Sequence, residues 1–272
     1  MIKKTLAWIS ILLFTIFSIY PILYVFSVSL RGDNAFHSQS LEILNADSTG
    51  KNFVNLFLHT DFLLWLRNSI IISVATTLLG LVLAASSAYA LSRFRFRGRN
   101  FMLFALIATQ MFPATMLMLP FYIILSKLHL IDSFWGLFII YSSTALPFCV
   151  WQMKAYYDTI PFELEEAARL DGCSSWQIFY KIILPVSTPA LAITALFSFM
   201  SSWGEYVIAA VVLQDPDLYT LPLGLRSFQA SLATQWGLYA AGALIVSLPV
   251  LFLFVTVSRY LVSGLTMGSV KG

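Results

Sequence analysis

Residues 165–185 read EEAARLDGCSSWQIFYKIILP and stand between two strongly apolar stretches. A plain connector needs only a few polar residues, whereas this one carries the signals of a folded element. Pro161 suits the first turn of a helix, where its missing N–H costs nothing. Glu163, Glu165 and Glu166 follow, where carboxylates favour the positive end of the helix dipole. Glu165 and Arg169 are spaced i,i+4 and support the helix modestly. The helical period places Leu164, Ala167, Ala168 and Asp171 on one face, where two alanines let a partner approach closely. Gly172 then ends the helix, because glycine takes a positive φ without steric cost. Ser174 with Gln177 forms a capping box for a second short helix, from 175 to about 184.

Outward from this stretch the chain is greasy. It has 272 residues, of which 59% are hydrophobic and 11% charged, with mean hydropathy +0.82. A soluble domain carries about 25% charged residues, so the composition excludes a water-soluble globule and points to the bilayer. The net charge of +3 gives no reason to expect nucleic acid. The two cysteines, Cys149 and Cys173, lack metal spacing and are not expected to pair. His37, His59 and His129 are scattered through connectors and form no metal site.

About 20 apolar residues cross the hydrocarbon core. Six segments qualify, at approximately 6–30, 68–91, 101–125, 134–153, 186–213 and 236–262. The first is longer than a signal-peptide core and is expected to remain as a membrane helix. The expectation is an all-α integral membrane protein with six transmembrane helices in a single domain spanning 1–272. With the N-terminus inside, eleven of the sixteen Lys and Arg residues face the cytoplasm, four of them in the connector RFRFRGR at 93–99. The positive-inside rule then puts both termini, and the polar loop 154–185, in the cytoplasm.

Pro21, Pro113, Pro120, Pro147 and Pro249 fall inside these spans and are expected to kink them. A cavity-lining break is most at home in the third span, which holds both Pro113 and Pro120. Residues 52–65 read as one interfacial helix, with Trp65 suited to the headgroup level or to packing on the bundle. Glu205, in SSWGEYVIAA, is the clear intramembrane acid. It either lines a translocation path with Trp203 and Tyr206 or makes an interhelical or partner contact. No P-loop, H-E-x-x-H or G-x-S-x-G occurs, so nucleotide chemistry of that kind and hydrolysis are not expected of this chain.

The loop resembles the EAA motif of permease subunits in binding-protein-dependent ABC importers. Glu166, Ala167, Ala168, Asp171, Gly172, Ile182, Leu184 and Pro185 match its pattern. The tail GLTMGSVKG at 264–272 resembles that of MalG-type sugar permeases, and YTLPLGLRSF at 219–228 resembles the family's outer loop. QMFPATMLMLPFY and LIDSFWG also read like family segments, so the resemblance covers essentially the whole chain. Cys173 stands where many relatives have a small alanine.

The resemblance implies the type I ABC importer permease fold with a cytoplasmic coupling helix. It implies that Glu165, Glu166, Ala167, Ala168, Asp171 and Gly172 couple to an ATPase subunit. It assigns Gly264, Gly268, Lys271 and Gly272 to an ATPase-contacting tail. Tyr219, Leu221, Pro222 and Gly224 would touch the binding protein. The implied partners are a second permease subunit, two copies of an ATPase subunit and an extracytoplasmic sugar-binding protein, in a bacterial or archaeal plasma membrane. ATP and Mg²⁺ would bind on the ATPase subunits and no cofactor on this chain. Maltose or maltodextrin is the expected cargo; trehalose, another oligosaccharide or glycerol phosphate are alternatives carried by the same machinery. A secondary carrier working alone is the competing mechanism.

Overall fold

The computed structural model describes residues 2–32, 48–229 and 234–267. These are helical almost throughout, with one isolated bridge, between Arg31 and Ser48, among the described residues. Four helices are long and apolar enough to cross a membrane. They are α1 (Ile2–Ser29), α3 (Phe62–Arg93), α6 (Phe134–Tyr157) and α13 (Trp236–Met267). Two bent helix pairs bring the number of spans to six when each is taken as one.

The first bent pair is α4 (Arg99–Gln110) with α5 (Ala114–Lys127). The sequence reads this region as one span. Pro113 interrupts it, standing in extended conformation at the N-cap of α5, while Pro120 is absorbed inside α5. Pro21, Pro147 and Pro249 likewise lie inside their helices. Of these five, Pro113 is the one whose ring coincides with a break.

The second bent pair surrounds the fifth span. A short α8 (Ser175–Ile178) runs through a π-helical segment, Phe179–Ile183, into α9 (Leu184–Val186). The chain turns by 77° and continues as α10 (Thr188–Trp203). The span expected at 186–213 then stops again at Gly204 and resumes as α11 (Val207–Val212).

Two compact units divide the chain. The first comprises Met1–Leu66 and Leu223–Pro249. Here α1 presents Leu6, Trp8, Phe14 and Phe17 outward, an apolar surface suited to lipid. Asn52, on α2 (Lys51–Leu58), donates through Nδ2 to the carbonyls of Ser29 and Arg31, both at 2.9 Å, and so closes the open end of α1. The interfacial helix expected over 52–65 is two pieces, because the chain breaks between α2 and α3. Trp65 is buried against Phe228, with ring centroids 5.7 Å apart, so the packing alternative holds.

The second unit comprises Arg67–Pro222 and Val250–Gly272. Its core joins Ala84, Ala85, Ala88 and Tyr89 of α3 to Cys149, Val150, Met153 and Tyr157 of α6. The small residues let α3 approach closely, as membrane helices require when no hydrophobic drive exists between them. Ile178, Phe179 and Ile183 complete this core from the polar loop.

Candidate functional site

The polar loop folds as two short helices around a glycine turn. The first, α7 (Glu163–Leu170), begins two residues after Pro161, with Phe162 at its N-cap and three glutamates in its first turn. It ends in a Schellman motif: the Cys173 amide donates to the Ala168 carbonyl at 2.9 Å and the Gly172 amide to that of Arg169 at 3.0 Å. Gly172 has φ +84°, and a Cβ there would meet nothing within 4 Å. Backbone conformation alone therefore demands the glycine. The capping box forms as the sequence predicts, from the Gln177 amide to Ser174 Oγ at 3.3 Å and from the Ser174 amide to Gln177 Oε1 at 2.8 Å.

The face assignment needs correction. Glu165 and Ala168 point inward, 1% and 5% exposed, whereas Leu164, Ala167 and Asp171 are exposed. Glu166 and Gly172 are exposed too, and Leu170 stands 90% exposed at the tip. Trp176 at the start of α8 is 67% exposed. The outward surface is therefore acidic at the start of α7, and at its end the apolar Leu170 stands between the charged Arg169 and Asp171. Ala168 points inward as a member of the core beneath.

Glu165 is held by more than its helix. Arg93, the last residue of α3, donates through Nε to Glu165 Oε1 at 2.5 Å. Tyr89 Oη donates to Glu165 Oε2 at 3.0 Å. Arg93 Nη2 donates to the Ile160 carbonyl at 3.0 Å, and its guanidinium lies 4.4 Å from the Phe162 ring centroid. Both charged side chains are 2% exposed. The expected partner Arg169 is mostly exposed and reaches Glu165 only at 4.0 Å. A buried charge persists only when paired and hydrogen-bonded, and Arg93 with Tyr89 meets that condition.

The same arginine begins a polar chain into α6. Arg93 Nη1 donates to Ser92 Oγ at 3.2 Å, and Ser92 Oγ donates to Asp158 Oδ1 at 2.6 Å. Lys154 Nζ donates to Asp158 Oδ2 at 2.5 Å. Burial pushes the Asp158 carboxyl up, but hydrogen bonds from Lys154 and Ser92 outweigh it and hold it below its ordinary value.

Elsewhere the candidates divide. Glu205 accepts from Tyr141 Oη at 2.9 Å and from the Ile208 and Ala209 amides at 2.9–3.1 Å. Its charge is thus satisfied by an interhelical bond and by the first turn of α11. Trp203 is buried and stacks on Phe199 at 5.2 Å, while Tyr206 is exposed. A separate cleft of about 310 Å³ lies in the second unit, lined by Gln110, Thr144, Phe148, Phe197, Ser198 and Ser201. Ser198 Oγ is buried there without a hydrogen-bond partner. None of these six residues was singled out from sequence. Gln110, Thr144 and Ser201, polar groups within apolar spans, were the available signal.

Of the outer-loop residues, Leu221 and Gly224 are buried, and Tyr219 and Pro222 are half-buried. Asn68, fully buried, donates to the carbonyls of Asp217 and Tyr219 at 2.9 and 3.0 Å and holds the loop in shape. Within that loop Arg226 and Ser227 are exposed, and just before it so are Gln214, Asp215, Pro216 and Asp217. In the tail, Gly264 belongs to α13, and Gly268, Lys271 and Gly272 lie outside the described residues. No cluster of metal-binding side chains occurs among the described residues.

Known proteins are similar to this chain. The maltodextrin transport system permease protein MdxG of Bacillus subtilis is 35% identical over the whole of this chain and 98% of its own length. The galactooligosaccharides transport system permease protein GanQ of the same organism is 33% identical, covering all of this chain and 96% of its own. The maltose/maltodextrin transport system permease protein MalG of Vibrio vulnificus is 39% identical over 77% of this chain and 73% of its own. A solved bacterial ABC transporter involved in the import of the acidic polysaccharide alginate superposes with a TM-score of 0.83 at 26% identity, covering 95% of this chain and 96% of the other. The pattern of the family described as binding-protein-dependent transport system inner membrane component matches residues 77–266. The chain therefore belongs to that family, as a multi-pass membrane permease subunit that transports and is not an enzyme.

Proposed function

We propose that this permease works in an ATP-driven importer of maltose or maltodextrin. A binding protein delivers the sugar from outside, a second permease subunit completes the pathway, and two ATPase subunits bind ATP and Mg²⁺ at the cytoplasmic face. Both termini and α7 lie on that face. The observation that carries the reading is α7 itself, a short helix with an acidic start and an exposed Leu170, closed by a fixed turn at Gly172. Energy enters there, because ATP that binds the closed ATPase pair more tightly than the open one shifts the permease between two states.

The cargo class draws support from the relatives, whose names include maltodextrin, maltose and galactooligosaccharides. The tail and outer-loop resemblances favour the first two. The cleft beside Phe148 and Phe197 suits a sugar ring, with Gln110, Thr144 and Ser201 as partners for its hydroxyls. Glu205, Trp203 and Tyr206 contribute to the same pathway chiefly by shaping it.

Proteoliposomes holding the full complex test this. Labelled maltotriose should accumulate only with ATP inside and binding protein outside, and a galactose-based trisaccharide should compete poorly. Uptake by the permease without ATPase subunits, driven by an ion gradient, would sink the importer reading. Preference for the galactose-based sugar would sink the maltodextrin assignment alone.

A further inference from the structure

We infer that Arg93 is the positioning residue that ties the coupling helix α7 to the second span α3, so that a push on α7 moves α3 directly. The inference rests on the reading of α7 as the ATPase-docking element. Three contacts from one guanidinium carry it. Arg93 pairs with Glu165 on α7, donates to the Ile160 carbonyl just before α7, and lies over the ring of Phe162 at its N-cap. A planar fork with several donors fixes direction as well as distance, which a lysine ammonium does not.

The location favours transmission over simple stability. Glu165 is the single acid of the first turn of α7 that is buried, while Glu163 and Glu166 remain outside. Helix capping needs no buried acid, since an exposed one serves the dipole equally well. Burying this one is costly unless it is paired. What the pair adds is a specific register between α7 and the end of α3. Through Ser92, Asp158 and Lys154 the same arginine also reaches the end of α6. One residue thus gathers the ends of two spans and the helix that would receive the ATPase stroke.

Single truncations leave a buried charge and can fail to fold, so the test uses Arg93→Lys and the double variant Arg93→Leu/Glu165→Leu. Each is reconstituted as the full complex with ATPase subunits and binding protein. Sugar transported per ATP is expected to fall about tenfold in the double variant and less in Arg93→Lys, a larger fall than that of ATPase capture in the same complexes. The exchange Arg93→Glu/Glu165→Arg should recover part of the loss. Spin labels at Leu170 and Arg97, with Cys173 replaced by alanine, should show a broadened distance distribution in the double variant. Wild-type transport per ATP in both variants overturns the proposal. So does a loss of ATPase capture and transport in equal proportion, which would make the pair a fold contact only. If the unaltered chain captures no ATPase, the proposed function itself fails, independently of Arg93.

Discussion

At the scale of the residue, Gly172 gives the sharpest constraint. Its φ of +84° lies where a Cβ is strained, yet the space around it is open. Left-handed backbone costs an L-residue roughly 1–2 kcal/mol, less for Asn and more for a β-branched side chain. Gly172→Asn should therefore retain most transport, and Gly172→Val should lose it while the subunit still inserts and assembles. Equal transport by both variants would show that the turn is not what the partner reads. The glycine was legible in the sequence because a turn type dictates it locally. The inward aim of Glu165 was not, because it depends on Arg93, 72 positions away in the chain. The i,i+4 rule offered Arg169 instead, and the buried environment chose the arginine that could satisfy the carboxylate without solvent.

At the scale of the element, helices were easier to foresee than their interruptions. Long apolar runs announced α1, α3, α6 and α13, but composition hides a break whose neighbours are equally apolar. Gly204 was visible as a residue, not as the end of a helix, whereas the break at Pro113 falls in the span where two prolines made one expected. The outer loop shows the same limit. Gly224, on α12 (Leu221–Arg226), read as a contact for an external protein. In the first unit it instead faces Trp65, and a Cβ there would fall 2.1 Å from Trp65 Cδ2. Overpacking of this kind costs about 1–3 kcal/mol. Gly224→Ala should lower the melting temperature of the detergent-solubilised subunit and leave its affinity for the binding protein nearly unchanged. A variant of unaltered stability but weakened binding would restore the contact role.

At the scale of the whole molecule, orientation is the property that the charge pattern reads most directly, since Lys and Arg distribution reflects insertion rather than packing. The two cysteines test it without new thiols. Cys173 is partly exposed beside the Gly172 turn and Cys149 is buried in α6. A membrane-impermeant maleimide should label the permease in inside-out vesicles, at Cys173, and leave it unlabelled in right-side-out vesicles. Labelling from the outside would invert the topology.

The π-helical segment Phe179–Ile183, between α8 and α9, carries one further consequence. Pro185 follows it closely, and in a regular helix its ring would press on the carbonyl of Lys181. The wider turn removes that clash by admitting an extra residue. Since each residue turns a helix by about 100°, the insertion sets the rotational phase between the α7–α8 hairpin and α10, independently of the distance separating them. Length changes in this stretch are therefore changes of angle: losing one residue here would leave the hairpin close to its place but aim Leu170 and Trp176 in a different direction.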